Sequence, residues 1–456
     1  MTRGVQADYL VVGAGAAGMA FTDALIDHSS ARVALVDRRH LAGGHWLDDY
    51  PFVRLHQASC FYGVASTVLG GGRIQDHGPE AGLQERAGVT EILAYYEQVL
   101  ASRMVATGKV EFFGSCEYVA NRHFVSRVSG EQFEVPRECR IVDARYLSPN
   151  IPADSPPPFK VAAGARVIPV NALARLEDVA EQYVVVGSGK TATDACQWLL
   201  AHGVDPGNIC WVRPREPWML NRALVQPDPA VFLGMTADIM ESAASATTLH
   251  SLFLNLEDAG IMNRIDRSVM PTMARAPTLA MWELEQLRSI EHVVRLGHVR
   301  RVDPGRITLE DGTARIAKDA LLVHCAASGL RNPPIIPIWA SQEITLQPIR
   351  AGFPCFGAAL AGYVEATRAD DGEKNRLCPA TPYPNDLAGW ALMNLLGTRA
   401  AMAFSSEPDI RDWADGVALN PAALPPEQQR SPQLQEVLAR LSAAVPRGLA
   451  ALARLS

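Results

Sequence analysis

Short apolar runs that lead through a glycine-rich turn into a helical pattern occur twice along this 456-residue chain. The first run, residues 9–12, precedes a turn over 13–18, and the second, residues 183–186, precedes a similar turn over 187–192. A fully apolar strand that continues directly into a helix is typical of βαβ units, whose parallel sheet is buried on both faces. The pattern therefore predicts an α/β fold with two Rossmann-like, three-layer dinucleotide-binding domains.

The pattern between and after the two turns predicts how the domains are divided. Short alternating strands over 109–146 complete the first domain. The stretch 148–158 is a connection, because prolines this dense fit neither a helix nor a central strand. We predict a discontinuous first domain, a second domain with a helical insertion, and a C-terminal helical segment, at residues 1–158 with 320–400, 159–319 with an insertion at about 222–290, and 401–456.

Composition and charge narrow the classes of partner. Hydrophobic residues make up 48% of the chain and charged residues 20%, which is ordinary for a globular protein. The net charge of −7 gives no electrostatic reason to expect nucleic acid as a partner. No leader pattern precedes Tyr9 and no apolar run is long enough to span a bilayer, so we expect a cytoplasmic protein that does not enter the membrane.

The eight cysteines show neither a CxxC pair nor a Cys/His cluster with zinc spacing. Cys196, Cys210 and Cys325 fall inside predicted helix or strand. We therefore expect buried free thiols and predict no metal site.

The first glycine turn has the spacing of a dinucleotide site. Gly13 allows the tight turn, Gly15 lets a pyrophosphate approach the backbone, and Gly18 lets the helix pack closely on the strand. The next apolar strand ends in Asp37, near the place of a ribose-binding carboxylate. The alternative is a structural turn without a ligand. The predicted contacts of this first site also include Ala16, Ala17 and Arg38.

A second glycine pair follows the first site. Gly43 and Gly44 precede His45 and Trp46, which suggests a loop whose backbone passes closely against a flat ligand. The alternative is a plain turn with a core tryptophan. The polar and aromatic stretch after it, residues 48–63, has no clean periodicity and is typical of a loop that lines a site.

The second glycine turn predicts a second dinucleotide site. Lys190 follows Gly189 as in a mononucleotide-binding loop, but position 184 is Val where that motif needs glycine. What remains is a GxGxxA turn. The members of this predicted site are Gly187, Ser188, Gly189, Lys190, Thr191 and Ala192.

The residues after the next strand bear on the choice of coenzyme. Arg213 stands where the first unit has Asp37, and Arg215 follows it. Arginine attracts a 2′-phosphate through charge-assisted bonds, whereas an acid repels it. The contrast predicts NADPH rather than NADH; the alternative is that both arginines lie at a solvated strand end.

The two glycine turns, together with Gly43, Gly44 and Trp46, resemble the flavin-containing monooxygenase superfamily, within the two-dinucleotide-binding-domain flavoproteins. The resemblance covers roughly residues 8–365. Residues 148–152 look like the crossover of that family, and residues 327–329, with Ser328 and Gly329, resemble its ATG strand end. The resemblance implies FAD on the first turn and NADP on the second.

Two departures from the family pattern concern its chemistry. Residues 159–170, just before the second unit, hold no histidine where the family fingerprint has one. His56 stands where Baeyer–Villiger relatives carry an aspartate after a Tyr-Pro-Gly stretch, and this chain has Tyr50-Pro51-Phe52 instead. His56 therefore replaces the acid that would poise flavin peroxide chemistry.

The resemblance implies an FAD-dependent, NADPH-using monooxygenase that oxygenates a small organic substrate with molecular oxygen through a flavin C4a-(hydro)peroxide. Arg54, His56 and Gln57 are the catalytic candidates, since their loop follows the second glycine pair and a histidine can exchange protons near pH 7. For His56 the alternative is a structural loop residue.

Two other functions remain open. One is an NADPH-dependent flavoprotein oxidase or reductase that releases hydrogen peroxide. The other is a non-catalytic nucleotide-binding flavoprotein that holds a partner through residues 434–455, which pack either on the body of the chain or against a second copy in a homodimer.

Overall fold

The computed structural model describes residues 2–153, 155–327, 329 and 331–456. Its strands are short: β1 Thr2–Gly4, β2 Tyr9–Val12, β3 Val33–Val36, β4 Val110–Phe113, β5 Cys116–Ala120, β6 His123–Ser126, β7 Gln132–Glu134, β8 Arg140–Asp143, β9 Lys160–Val161, β10 Arg166–Pro169, β11 Tyr183–Val186, β12 Ile209–Val212, β13 Pro217–Asn221, β14 Met262–Arg264, β15 Met273–Leu279, β16 Val293–Val294, β17 Val299–Asp303, β18 Arg306–Leu309, β19 Gly312–Arg315, β20 Leu321–His324 and β21 Glu343–Thr345.

The helices carry most of the remaining regular structure: α1 Ala16–Asp27, α2 Val89–Val99, α3 Lys190–Ala201, α4 Pro229–Ser245, α5 Leu249–Asp258, α6 Met281–Arg288, α7 Pro354–Thr367, α8 Asp371–Leu377, α9 Leu387–Ser405, α10 Pro408–Asp415 and α11 Pro432–Leu455.

The first unit is built on a five-stranded sheet in the order β21-β8-β2-β3-β4, in which every neighbouring pair is parallel. Val12 lies opposite both Val36 and Asp143, so these strands end together at one edge. The first glycine turn leaves the sheet at this carboxyl edge, where open α/β sheets bind ligands.

The second unit repeats the plan with the parallel order β10-β20-β11-β12-β16. β20 lies between β10 and β11, so it belongs to this sheet and not to the first. The predicted boundary at residue 320 is therefore wrong: the chain returns to the first sheet only with β21. The apolar pattern of residues 321–324 suits either sheet, and hydrophobicity alone could not decide between them.

Each sheet has helices on one face and a smaller sheet on the other, which confirms the predicted three-layer α/β class. In the first unit α1 and α7 pack together, and Gly362 allows the contact because a Cβ there would overlap the Phe21 carbonyl oxygen. The other face is covered by the sheet β1-β7-β6-β5, and in the second unit the corresponding cover is β19-β18-β17-β9.

The insertion is less helical than its sequence predicts. It holds α4, α5 and α6, but its strands β14 and β15 form a three-stranded sheet with β13, which directly precedes the region. The Met- and Ala-rich composition of this region concealed the strands, because alternation over so short a run is a weak signal.

The C-terminal helix α11 packs on α4 and on α9. Gly448 makes the approach to α4 possible, since a Cβ there would lie 2.7 Å from the Cβ of Met240. The tail thus lies on the body of the chain, the first of the two predicted arrangements; association with a second copy stays a prediction.

Candidate functional site

The first glycine turn presents free backbone N–H groups. Gly13 has a φ of +109°, and a Cβ at Gly18 would overlap the Gly13 carbonyl oxygen, so this turn needs glycine at both positions. Gly15 is the N-cap of α1 and provides no side-chain cap, and the first helical turn contains no acidic residue. Ala16 and Ala17 are only partly buried. The helix N-terminus is therefore open to an anion.

Asp37 fixes the geometry of this turn. Its carboxylate accepts hydrogen bonds from the backbone N–H of Ala14 at 2.7 Å and of Arg39 at 2.8 Å, and the residue is 6% exposed. Each carboxylate oxygen keeps a free lone pair that a ribose hydroxyl can use. Arg38 beside it is exposed.

The second glycine pair is packed directly on the first turn. The Gly43 N–H donates to the Ala14 carbonyl at 2.9 Å, and a Cβ at Gly44 would lie 2.8 Å from the Gly15 Cα. Gly44 also has a φ of +61°, so both space and conformation require glycine there. The two sequence motifs therefore form one structural unit.

Trp46 and His45 lie next to this contact. The Trp46 indole is buried and its Nε1 donates to the Tyr62 hydroxyl at 2.5 Å, an arrangement that suits a core residue. His45 stacks on Trp46 with ring centroids 5.2 Å apart. Burial and the charge of Arg39 lower the pKa of His45 to about 4, so this imidazole is neutral near pH 7.

The loop after Trp46 reaches the second unit. The Tyr50 hydroxyl donates to the Asp194 carboxylate at 2.8 Å, and Asp194 is ion-paired with Lys190 one helical turn earlier. Lys190 is the first residue of α3, directly after the second glycine turn. The loop that follows Gly43 and Gly44, which pack on the first glycine turn, is thus hydrogen-bonded to α3, the helix that begins at the second glycine turn.

His56 lies in the same loop. Its carbonyl accepts hydrogen bonds from Arg222 Nε at 3.0 Å and from the Thr278 hydroxyl, while its imidazole Nδ1 is buried and has no partner among the described residues. Burial, then Lys190 and Arg222, lower the pKa of His56 to about 3. The imidazole is therefore neutral near pH 7 and can serve as a hydrogen-bonding group; its catalytic role stays a prediction.

The other two catalytic candidates occupy different environments. Gln57 is buried, whereas Arg54 is exposed and donates to the Arg86 carbonyl at 3.2 Å, within its own unit. Arg54 and His56 therefore lie in different surroundings, and a shared catalytic role for them stays a prediction.

The second glycine turn is also open to an anion. Gly189 caps α3 without a side-chain cap, no acidic residue lies in the first helical turn, and a Cβ at Gly189 would meet nothing within 4 Å. Ser188 is buried and its hydroxyl has no hydrogen-bond partner among the described residues. The remaining members are Gly187, which has a positive φ, the partly buried Thr191, and the buried Ala192, which packs where the motif places a small residue.

Arg213 is not placed as its predicted role requires. It is 3% exposed, its guanidinium lies 4.6 Å from the centre of the Trp211 ring, and its Nη1 is 3.2 Å from the Glu216 carboxylate. Glu216 also pairs with Arg295 at 2.5 Å. A buried arginine beside a carboxylate offers little attraction to a phosphate, which strand-end position alone could not reveal.

Arg215 is only partly buried and lies in a cluster that the sequence did not predict. Its Nη2 donates to the Asn385 side-chain oxygen at 3.3 Å, and Arg275 Nη2 donates to the same oxygen at 2.6 Å. Two guanidinium groups on one amide oxygen make this a positively charged place. Three remote segments form it, and no local motif marks them.

The predicted strand end after β20 lies beside this cluster. Ser328 is outside the described residues. Gly329 has a φ of +64°, its carbonyl accepts a hydrogen bond from the Asn150 N–H at 3.1 Å, and a Cβ there would lie 3.3 Å from Arg275 Nη1. The crossover segments between the two units therefore meet next to Arg275.

A buried ion network stands behind the His56 loop. Arg222 pairs with Glu80 at 2.6 Å and with Glu283 at 2.5 Å, and Arg86 pairs with Glu80 at 2.6 Å. The exposed fraction of these four side chains lies between 1% and 9%. The network joins the first unit to the insertion and holds the carbonyl of His56.

Two further features bear on the predicted classes. All eight cysteines are buried and free, which confirms the buried thiols predicted for Cys196, Cys210 and Cys325. Within residues 2–153, 155–327, 329 and 331–456, no group of His, Cys, Asp and Glu side chains is arranged to hold a metal ion. Over the same ranges, every helix is too short or too polar to cross a bilayer.

Three mycobacterial proteins are similar to this chain over nearly its whole length. They are the uncharacterized proteins Rv2000 and MT2056 of Mycobacterium tuberculosis and Mb2023 of Mycobacterium bovis. Each is 40% identical over 436 residues, which make up 95% of this chain and 81% of the relative. No protein-family model matches the chain.

Among solved structures, the polycyclic ketone monooxygenase of the fungus Thermothelomyces thermophila is similar with a TM-score of 0.51 and 12% identity, over 98% of this chain and 90% of that one. The open structure of cyclohexanone monooxygenase gives a TM-score of 0.48 at 12% identity, over 97% and 98% of the two chains. The predicted resemblance is confirmed at the level of the fold, which is that of the two-dinucleotide-binding-domain flavoproteins. By sequence, the chain belongs to the same protein family as Rv2000, MT2056 and Mb2023.

Proposed function

We propose that this chain is an FAD-dependent, NADPH-using oxidoreductase of the monooxygenase type, which oxygenates a small organic substrate with molecular oxygen. The observation that carries the proposal is the contact from Tyr50 through Asp194 to Lys190, since it joins the loop of the first dinucleotide turn to the start of the second. Two nucleotide sites tied together in this way suit a hydride transfer from one cofactor to the other.

The residues of the first turn fit FAD. The uncapped N-terminus of α1, with the N–H groups of Ala16 and Ala17, would hold the pyrophosphate, and Asp37 would accept a ribose hydroxyl with its remaining lone pairs. Gly44 leaves room because it has no side chain at its contact with Gly15. A bound flavin supplies hydride acceptance and oxygen activation, which no side chain of this chain can supply.

The second turn fits a nicotinamide dinucleotide. The uncapped N-terminus of α3 and the unpartnered hydroxyl of Ser188 would hold its pyrophosphate. For the 2′-phosphate we assign the leading role to Arg215, because Arg213 is buried beside Glu216. In this proposal the preference for NADPH depends on Arg215 and not on Arg213 at the end of the strand.

The loop from Trp46 to Gln57 would serve as the wall between the two cofactors. The Tyr50–Asp194 hydrogen bond fixes the distance of this loop from α3. Arg222 holds the loop on its other side by donating to the His56 carbonyl. The neutral His56 imidazole, whose Nδ1 has no partner among the described residues, is available to a hydrogen-bonding atom of a ligand.

The same His56 favours a second candidate function, an NADPH-dependent oxidase or reductase that releases hydrogen peroxide. A neutral imidazole cannot provide the negative charge that the aspartate of Baeyer–Villiger relatives would place there. The absence of a negative charge at this position supports an enzyme that would release hydrogen peroxide and oxygenate nothing.

The experiment uses the full chain purified with added FAD. Yellow flavin absorbance that stays with the protein and is bleached by NADPH without oxygen supports both candidate functions. Oxygen uptake is then compared with peroxide release over a panel of small organic compounds. A compound that lowers the peroxide released per oxygen consumed selects the monooxygenase; absence of bound flavin, or of bleaching, rejects the proposal.

A further inference from the structure

Arg350, in the loop between β21 and α7, is a positively charged side chain that the fold leaves without a hydrogen-bonding partner. Its guanidinium makes no hydrogen bond and no ion pair with any residue in the part of the chain that the structure describes. It lies over the ring of Phe232, with its Cζ 5.7 Å from the ring centre. A contact with a ring face leaves all the N–H donors of a guanidinium unused. Since buried charges in proteins are normally paired, the group that this place lacks is an anion.

The guanidinium nitrogens of Arg350 are within reach of a ligand. The residue keeps part of its surface accessible, and none of its side-chain nitrogens is among the polar atoms that are both sealed off and unpartnered. Burial nevertheless lowers the pKa of Arg350 to about 10, which leaves the group charged near pH 7. Because protein surrounds the side chain closely while its donors stay accessible, Arg350 lines a recess and not the outer surface.

Asp415, at the end of α10, is the acidic residue whose charge reaches Arg350. It raises the pKa of Arg350 against the effect of burial, but it lies beyond ion-pair distance. Its carboxylate accepts a hydrogen bond from the Leu424 N–H at 3.1 Å, and burial raises the pKa of Asp415 itself. The first turn of α7, which follows Arg350, contains no acidic residue. The donors of Arg350 therefore stay available to the carboxylate of a ligand.

The loop that carries Arg350 starts at the sheet edge where the first glycine turn lies. Thr345, the last residue of β21, pairs with Asp143, which also lies opposite Val12 at the end of β2. The next residue, Leu346, donates its N–H to the Asp143 carbonyl at 3.0 Å. Ligands of open α/β sheets bind outside this carboxyl edge. Arg350 thus follows from the edge at which the FAD site is proposed.

Hydrogen bonds within the protein fix the backbone of this loop. The Pro348 carbonyl accepts from the Thr381 N–H at 2.7 Å and from the Thr381 hydroxyl at 3.2 Å. The Phe353 N–H donates to the Arg350 carbonyl at 3.2 Å, which closes a turn at the start of α7. A loop that is held in this way can bind a ligand without first being ordered, so less of the binding energy is lost.

Aromatic rings connect Arg350 to the stretch 48–63, which is predicted to line a site. Phe232 of α4 and Phe353 have ring centroids 5.5 Å apart, and Phe353 and Phe61 have centroids 5.4 Å apart, both edge to face. Phe61 lies within that stretch. The recess therefore combines a charged group with an apolar wall, which suits a molecule that has a carboxylate and a hydrocarbon body.

We propose that Arg350 binds the carboxylate of the substrate, so that the small organic molecule oxidised by this chain is an organic acid in its anionic form. The inference rests on the proposed function, to which it adds the class of substrate. Arg350 donates two parallel N–H bonds to the carboxylate, and the hydrocarbon body lies on the side of the phenylalanine rings. Arg350 is a substrate-binding residue and takes no part in the electron transfer.

The test is ligand-observed saturation-transfer NMR on the full chain, with and without FAD. The probes are acetate, hexanoate, benzoate and phenylacetate, each compared with its uncharged amide. We expect at least one carboxylate to bind and its amide to bind about tenfold more weakly, because the amide lacks the charge that pairs with a guanidinium. If no carboxylate binds better than its amide, the proposal is overturned.

The two cofactors separate this site from their own. We expect the carboxylate to stay bound when FAD is loaded and NADP⁺ is saturating. Displacement by either cofactor would assign Arg350 to a cofactor site and would overturn the proposal. Failure of the chain to bind flavin, or of NADPH to bleach it, rejects the proposed function instead, and the comparison of carboxylate with amide does not depend on that result.

Two matched variants assign the binding to Arg350. Arg350→Met keeps an apolar stem and removes the charge, so it should weaken carboxylate binding about tenfold and leave amide binding unchanged. Since the guanidinium has no hydrogen-bonding partner in the described part of the chain, we expect the Tm to stay the same or to rise. Arg399→Met on the exposed side of α9 should change neither binding nor Tm.

Two results with these variants would contradict the assignment. One is unchanged carboxylate binding in Arg350→Met. The other is a lower Tm with equal losses of carboxylate and amide binding, which would make Arg350 a structural residue. The comparison of carboxylate with amide on the wild-type chain needs no variant and decides the proposal if Arg350→Met fails to fold.

Discussion

The Tyr50 hydroxyl donates a 2.8 Å hydrogen bond to the Asp194 carboxylate, which lies far away in the sequence. Burial, reinforced by the charge of Asp194, raises the pKa of Tyr50 well above its usual range, so the hydroxyl stays protonated and remains a donor at every pH in ordinary use. The bond therefore holds the loop of the first glycine turn against α3 under all working conditions.

Tyr50→Phe removes this bond while keeping the ring. We expect a loss of about 1 kcal/mol in the free energy of unfolding and, because the two cofactor sites lose a fixed separation, a roughly tenfold slower reduction of bound flavin by NADPH. Stopped-flow absorbance measures the second effect. Tyr146→Phe is the matched control, since its hydroxyl donates to the Pro334 carbonyl at 2.8 Å, away from α3. Equal reduction rates in wild type and Tyr50→Phe would contradict the coupling.

Gly18→Ala tests the first turn. The new Cβ would overlap the Gly13 carbonyl oxygen, so the strand and α1 must separate. We expect loss of bound FAD, seen as loss of visible absorbance, together with a lower Tm. Gly234→Ala is the control, because a Cβ there meets nothing within 4 Å in the middle of α4, and alanine should stabilise that helix by up to about 1 kcal/mol. Retention of full flavin absorbance by Gly18→Ala would be the contrary result.

The sequence predicted this turn well because its requirements are local. Gly13, Gly18 and Asp37 are dictated by the path of a strand that runs directly into a helix, and the carboxylate of Asp37 reaches back to Ala14 within the same βαβ unit. The three-layer class follows from the same apolar runs.

What the sequence could not predict depends on segments that are distant in the chain. The pKa of His56 is set by burial and by Lys190 and Arg222, which come from the other unit and from the insertion. Arg275 and Asn385 meet Arg215 through the packing of a three-stranded sheet that no periodicity revealed. The sheet to which β20 belongs depends on its pairing with β10 and β11, and a short apolar run in the sequence does not show with which strands it will pair.

Arg215→Ala and Arg213→Ala separate the two arginines. Arg215 is only partly buried and donates to an uncharged amide, so its positive charge is available to the 2′-phosphate of NADPH. We therefore expect Arg215→Ala to raise the KM for NADPH about tenfold and to leave NADH use unchanged. Arg213→Ala should lower the Tm, since it leaves the Glu216 carboxylate with fewer partners, and change the coenzyme preference little. Steady-state kinetics with both coenzymes would refute the assignment if Arg213→Ala abolished the preference and Arg215→Ala kept it.

Arg222→Met tests the network behind His56. It removes the 2.5 Å partner of the Glu283 carboxylate, which then keeps Arg86 at 3.8 Å, and one partner of Glu80, both in buried surroundings. We expect a loss of about 3–5 kcal/mol in the free energy of unfolding. Arg440→Met removes an exposed ion pair with Asp238 and Glu241 and should cost at most about 1 kcal/mol. Urea unfolding of both variants gives the comparison, and equal losses would argue against a structural role for the network.

His56→Gln tests the neutral state of the imidazole through the pH dependence of stability. The pKa of His56 is about 3 in the folded chain, below the value of about 6.5 for an unfolded histidine, so between these values only the unfolded chain gains the proton. Stability is therefore fully present above about pH 6.5 and falls with decreasing pH, by up to about 1.4 kcal/mol per unit for this residue. Urea unfolding at pH 7, 6 and 5 should show a shallower fall in His56→Gln than in the wild type, while exposed His250→Gln should follow the wild type. If His56→Gln and the wild type lose stability in parallel, the pKa of His56 is not lowered by folding, and the imidazole can exchange protons near neutral pH after all.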